Sequence, residues 1–280
     1  MKEIPVDNIV DNVEKLCISA NCNLPDDIYC AIKQSIEAEN SDLAKQTLST
    51  IIKNADIAKE KQIPICQDTG MAVVFVEIGQ DVHITGGSLY DAINEGVSRG
   101  YKKGYLRASV VSDPFERINT EDNTPAIIHC KISEGENLKI TLCPKGAGSE
   151  NKSRVKMLTP ADGANGVKAF VMDTVLAANA NSCPPMVVGV GVGGNLEECA
   201  LMAKEALLRD INLKNPNEFL AKLEEELLEE INKTNIGPGG LGGHTTALKV
   251  NILSGPTHIA QLPVAVNISC HVTRHVSVTL

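Results

Sequence analysis

The 280-residue chain has no tryptophan, and its four Tyr and four Phe bring the aromatic share to only 3%. With so few rings it offers few platforms for stacking nucleobases, and its core must be built from aliphatic side chains. Positive charge is also short: 26 Lys and Arg face 35 Asp and Glu, for a formal net charge of −9. That balance argues against a general nucleic-acid-binding protein, which needs a basic footprint. It leaves room for an anionic small substrate held by a few local cations. No apolar run approaches the length of a membrane span. The opening MKEIPVDNIV is too acidic and too short of apolar residues to read as a signal peptide. A soluble, cytoplasmic protein is expected. The cysteines number nine, an odd count, with no CxxC pair, so a disulfide framework or a zinc ribbon is a poor reading.

What is present suits a globular domain. Hydrophobic residues make up 43%, enough to bury a core, and charged residues 22%, too few for wholesale disorder. Apolar residues recur at helical spacing over 5–18, 25–38 and 41–60, with Pro25 and Ser41 at helix starts. After Gly70 the period changes. MAVVFVEI (71–78) and DVHIT (81–85) read as strands, and Ser88 opens a helix to about Lys102. Segments 126–132 and 138–143 flank the turn EGEN and predict a hairpin. Residues 159–180, 195–211 and 215–233 read as helices, the last with the charge pattern of a solvated face. Residues 185–192, 245–253 and 262–272 read as strands. The expectation is one α+β domain over residues 1–280: a helical N-terminal part, then mixed sheets with flanking helices.

The chemistry-bearing stretches are short. IPICQDTG (63–70) sets Cys66 beside an amide, a carboxylate and a hydroxyl. Cys143 precedes PKGAG, Cys183 lies in NSCPPM, and Cys270 lies in NISCH, followed by His271. Loops present thiolates, so these four are the metal candidates. Cys17, Cys30 and Cys199 sit in helical patterns and Cys130 in a strand pattern, where cysteine acts as a small hydrophobe. His258 lies in GPTHIAQ, twelve residues before Cys270. GVGVGG (189–194) fits the GxGxxG of a dinucleotide fingerprint, but the next element is another helix and Asp210 falls inside a helical pattern. The nicotinamide reading is therefore weak, although amides at that helix start could hold a carboxylate. Two loops suit anions or simple turns: KGAGSENKSRVK (145–156), with Lys145, Asn151, Lys152 and Arg154, and GPGGLGGHTT (237–246).

Taken together, ICQDTG, KGAGSENKS, SCPP, GGLGGHTT and NISCH resemble, in order and over nearly the whole chain, the iron–sulfur-dependent hydro-lyases: class I fumarases and L(+)-tartrate dehydratase. The likeness is to the α subunit of the two-subunit form, equivalent to the N-terminal domain of single-chain enzymes. It implies a [4Fe–4S] cluster held by Cys66, Cys183 and Cys270, with one iron lacking a protein ligand and able to act as a Lewis acid. It excludes Cys143. It implies Asp68 and His258 as catalytic residues, His258 handling the departing hydroxyl as an acid. It implies Gln67, Asp68, Arg107, Gly146 and Gly148 as substrate-binding, with Arg107 clamping a carboxylate and the glycines lining a close backbone approach. His244 stands where the family more often has Lys. The family's remaining arginines, lysine and threonine base belong to a second domain whose motifs do not occur in this sequence. A β subunit, an αβ pair that dimerises and a dicarboxylate substrate are thus implied. The expected reaction is reversible hydration of fumarate to (S)-malate. The alternatives are dehydration of L(+)-tartrate to oxaloacetate and, in another class, a non-catalytic iron–sulfur redox sensor that would tolerate Asp68→Asn and His258→Ala.

Overall fold

The computed structural model describes residues 1–280 and is α+β. A short strand β1 (Lys2–Pro5) leads into three helices, α1 (Val6–Cys22), α2 (Asp26–Ala38) and α3 (Asp42–Lys61). Then come β2 (Met71–Gly79), β3 (Val82–Thr85), α4 (Leu89–Lys103), β4 (Ile127–Ser133) and β5 (Leu138–Lys145). The next elements are α5 (Ala147–Glu150), β6 (Arg154–Leu158), α6 (Gly163–Ala178), β7 (Met186–Gly194) and α7 (Leu196–Ala206). The chain closes with α8 (Glu218–Asn232), β8 (Ala247–Thr257), β9 (Leu262–Ser269) and β10 (Val276–Thr279). Helix starts follow local chemistry. Ser88 Oγ accepts the Asp91 amide at 3.3 Å, and Asn217 Oδ1 accepts those of Phe219 and Leu220 at 3.0 and 3.2 Å.

Two compact units divide the chain. The first comprises Met1–Pro25, Ala55–Ala147 and Arg274–Leu280; the second comprises Asp26–Asn54 and Gly148–Thr273. In the first, the strand order is β10-β5-β2-β4, and β1 pairs in parallel with β3. α1 and α4 supply Ile9, Val13, Ile93 and Val97 to a core shared with Val74, Ile140 and Leu142.

The hairpin expected from 126–132 and 138–143 does not form. β2 lies between the two strands, parallel to β4 and antiparallel to β5. The EGEN connection instead crosses the end of β2. It takes the Gly79 amide on Asn137 O at 2.8 Å, the Gln80 amide on Ser133 O at 2.9 Å and the Asp81 amide on Gly135 O at 3.0 Å. Strands two places apart are separated by about 10 Å, a gap that four residues span. β2 is buried continuously from Ala72 to Val76, which suits a central strand.

In the second unit the order is β6-β9-β7-β8. Successive residues of β7 face opposite ways. Val188 and Val190 join the core built with Val171 and Val175 of α6 and Leu227 and Ile231 of α8. Gly189 and Gly191 face α7 instead. A Cβ at either would lie 2.1 Å from Ala203 O or 2.0 Å from Cys199 O. GVGVGG is therefore a helix–sheet packing device, and Asn195 already caps the α7 start through the Glu198 amide at 3.0 Å.

Two further expectations change. α8 is not simply a solvated face: Glu224 is buried, accepts the Ile252 amide of edge strand β8 at 2.7 Å and pairs with Arg209 at 2.6 Å. An edge strand's free amide is thus covered by a side chain. Cys17 and Cys199 are buried as expected, but Cys30 and Cys130 are exposed. Cys130 lies on edge strand β4, and only Ile28 and Ile32 of α2 are buried. No helix is long and apolar enough to cross a membrane.

Candidate active site

The turn that carries Cys66 is built in the first unit. It follows α3 and enters β2. Ile65 N donates to Asn21 O at 2.9 Å, fixing the approach. Cys66 is half-buried, Gln67 exposed and Asp68 half-buried, while Thr69 and Gly70 are buried. The three carbonyls of Asp68, Thr69 and Gly70 are each gripped by a buried side chain. Arg274 Nη2 donates to Asp68 O at 2.6 Å, and Tyr101 Oη reaches Thr69 O at 2.8 Å and Gly70 O at 3.1 Å. Asn123 Nδ2 donates to Gly70 O at 3.1 Å. Burial pushes the Tyr101 hydroxyl above the usual phenol range, which keeps it a donor. The Asp68 carboxylate is held from both sides: Gly70 N donates to Oδ1 at 3.0 Å and Ala147 N to Oδ2 at 2.8 Å. Gly70 has φ +71, and a Cβ there would meet the Lys145 carbonyl at 2.6 Å. At Gly146 a Cβ would lie 2.9 Å from Asp68 Oδ2. Glycine at 146 is what lets the β5 loop close on the carboxylate.

The second unit holds the other two candidate thiols and the histidine. Cys183 is exposed and sits in the left-handed region at φ 53 and ψ 63. A non-glycine residue in that region costs energy and marks positions worth testing for function. The Cys183 carbonyl takes the His271 amide at 3.1 Å and its Nδ1–H at 2.9 Å, which ties the Cys183 turn to the segment after β9. There Cys270 is half-buried, and its Sγ accepts the Val272 amide at 3.4 Å. His258 follows β8 and is exposed; its Nδ1 accepts the Ala260 amide at 3.1 Å. The neutral ring therefore carries its proton on Nε2. His258 also edges an apolar cavity of about 430 Å³ with Val192, Leu223 and Leu262. No disulfide joins any of the nine cysteines. Neither unit by itself gathers three His, Cys, Asp or Glu side chains into a metal-binding group.

A profile of the family described as fumarate hydratase (Fumerase) matches residues 10–279. The chain belongs to the fumarate hydratase family. A Methanocaldococcus jannaschii protein, provisionally named L(+)-tartrate dehydratase subunit alpha, is 41% identical over 272 residues, covering 95% of each chain. The L(+)-tartrate dehydratase subunit alpha of Escherichia coli strain K12 is 31% identical over 277 residues, covering 98% of this chain and 91% of its own. That of Shigella sonnei gives the same figures. The chain is thus an α-type hydro-lyase, and an enzyme.

The remaining candidates of this hydro-lyase divide. Arg107 is exposed, and its carbonyl accepts Thr69 Oγ1 at 2.9 Å, so its backbone is fixed to the turn. Gly148 has no protein atom within 4 Å of a Cβ position. Cys143 is buried in β5. In the 145–156 loop, Lys145 is buried and Arg154 stacks over Phe170 at 5.4 Å, which leaves less of an anion cradle than the sequence suggested. The glycine loop at 237–246 is anchored from below: the buried Glu39 carboxylate accepts the His244 amide at 2.9 Å and that of Thr245. Burial would raise the Glu39 pKa, but these amides outweigh it and hold the carboxyl below its usual range. The His244 side chain is exposed. Arg274, Tyr101, Asn123 and Glu39 were not found from sequence. Each is a polar residue buried by partners remote in the chain, and no local pattern marks that.

Proposed function

We propose that this hydro-lyase is the α subunit of a two-subunit class I fumarase that adds water reversibly to fumarate, giving (S)-malate. The observation that carries it is the Asp68 carboxylate, set by two amides and one absent side chain in the turn that begins with Cys66. The donor set fits a [4Fe–4S] cluster: three thiols outside helices and strands, one on a left-handed residue and one accepting an amide. Cys66, Cys183 and Cys270 would hold it, and residues 1–280 would act as one catalytic domain. When bound, the cluster supplies a Lewis acid with one iron lacking a protein ligand.

The chain's own groups do the rest. Gln67, Asp68 and Arg107 bind and orient the dicarboxylate, while Gly146 and Gly148 let the backbone approach it. In the dehydration direction the proton α to a carboxylate leaves, its C–H electron pair becomes the double bond, and hydroxide departs as water with a proton from His258 Nε2. The base that takes the first proton belongs to a β subunit, which the naming of the relatives as alpha subunits supports. The working unit is an αβ pair that dimerises, in the cytoplasm. A second reading, L(+)-tartrate to oxaloacetate, is favoured by the names those relatives carry.

The test is anaerobic reconstitution with iron and sulfide, with and without the β chain, assayed on fumarate and L(+)-tartrate side by side. Fumarate turnover only in the mixture is expected. Turnover of tartrate alone would replace the substrate. A cluster with neither activity, unaffected by Asp68→Asn or His258→Ala, would make the chain a redox sensor.

A further inference from the structure

Arg274 is an unusual buried cation. It is 3% exposed, and its single hydrogen bond runs from Nη2 to the Asp68 carbonyl at 2.6 Å; Nε and Nη1 are buried with no partner. Beneath the same turn Asn21 is fully buried, holds Ile65 through its carbonyl and leaves Oδ1 without a partner. A buried charge lacking a carboxylate partner costs several kcal/mol in general, and apolar replacements of similar volume are often neutral or stabilising. Stability alone therefore gives little reason for an arginine here.

Geometry gives one. The Asp68 carbonyl and the Asp68 side chain share one Cα. Gripping the carbonyl fixes the peptide plane and, through it, the direction in which the carboxylate leaves the backbone. The carboxylate then meets the Gly70 and Ala147 amides at 3.0 and 2.8 Å. Tyr101 and Asn123 hold the next two carbonyls but not this one.

We propose that Arg274 is a positioning residue of this hydro-lyase, acting through the Asp68 carbonyl to aim the Asp68 carboxylate. The proposal rests on the reading of Asp68 as a catalytic group. Lysine keeps the charge but not the planar fork, and methionine removes the charge while filling the space.

The test uses the assembled enzyme carrying Arg274→Met or Arg274→Lys. Arg274→Met should keep its melting temperature and iron content, lose about 100-fold in kcat and change KM by less than about threefold. Arg274→Lys should retain part of the lost kcat. Hydrogen exchange at the Gly70 and Ala147 amides should quicken about tenfold or more in Arg274→Met, with the amides of α1 and α4 unchanged. Unchanged exchange at those two amides would overturn the proposal. So would exchange that quickens throughout the first unit together with a lower melting temperature, because the role would then be structural. Turnover that survives Asp68→Asn would sink the catalytic reading of Asp68 instead, and the exchange result would still decide the anchor.

Discussion

At Gly146 the absent side chain is what leaves room for the Asp68 carboxylate, since a Cβ would stand 2.9 Å from Asp68 Oδ2. Gly146→Ala should push the carboxylate off the Ala147 amide and lower kcat about tenfold or more, equivalent to about 1.4 kcal/mol. Steady-state kinetics beside a thermal melt would check this, with the melt moving little. Glu39 offers a pH test. Its carboxyl is held below the usual range in the folded chain, so its contribution is present above the unfolded value and lost as pH falls through the folded one. Denaturant unfolding should therefore show stability falling as the solution is acidified through and below the ordinary carboxylate range. Glu39→Gln should flatten that part of the profile. A profile that Glu39→Gln leaves unaltered would show that the loop anchor contributes nothing. The candidate ligands and the Cys66 turn were legible in sequence because they lie in contiguous motifs. Arg274 was not, because it is 206 residues from the group it holds.

Among the elements, the β7–α7 pair shows how one glycine pattern can serve two purposes. GxGxxG in a loop cradles phosphate, whereas here the glycines are spaced along a strand and admit a helix backbone. Gly191→Val should overpack that contact and cost about 3 kcal/mol of stability, read by chemical denaturation, with no saturable nicotinamide binding to lose in either form. Breaking the buried Arg209–Glu224 pair by Glu224→Gln should cost a comparable amount, because it leaves a buried guanidinium with a weaker partner. Helix starts at Ser88 and Asn217 are set by residues beside them, so reading them needs only local chemistry. Strand neighbours are not local. EGEN resembles a hairpin turn, yet β2 occupies the place between its flanking strands.

For the whole molecule, the division into two compact units places the candidate thiols on separate parts of the chain: Cys66 in one, Cys183 and Cys270 in the other. A cluster held by Cys66, Cys183 and Cys270, as proposed, should order the turn that bears each of them. Chelating the iron under oxidising conditions should abolish turnover and speed hydrogen exchange at the turns bearing all three cysteines. Iron and reductant should restore both. Protection that changes at Cys183 and Cys270 alone would remove Cys66 from the ligand set.

By itself the sequence determined the α+β class, most helix and strand positions, and the short motifs that tie the chain to the fumarate hydratase family. All of these depend on periodicity, caps and contiguous residue types. Only the tertiary structure decided the strand order β10-β5-β2-β4, the packing use of GVGVGG, and the burial of Arg274 and Tyr101 around the Asp68 turn. Those features depend on which distant residues a folded chain brings within hydrogen-bonding and van der Waals reach, and no local pattern encodes that.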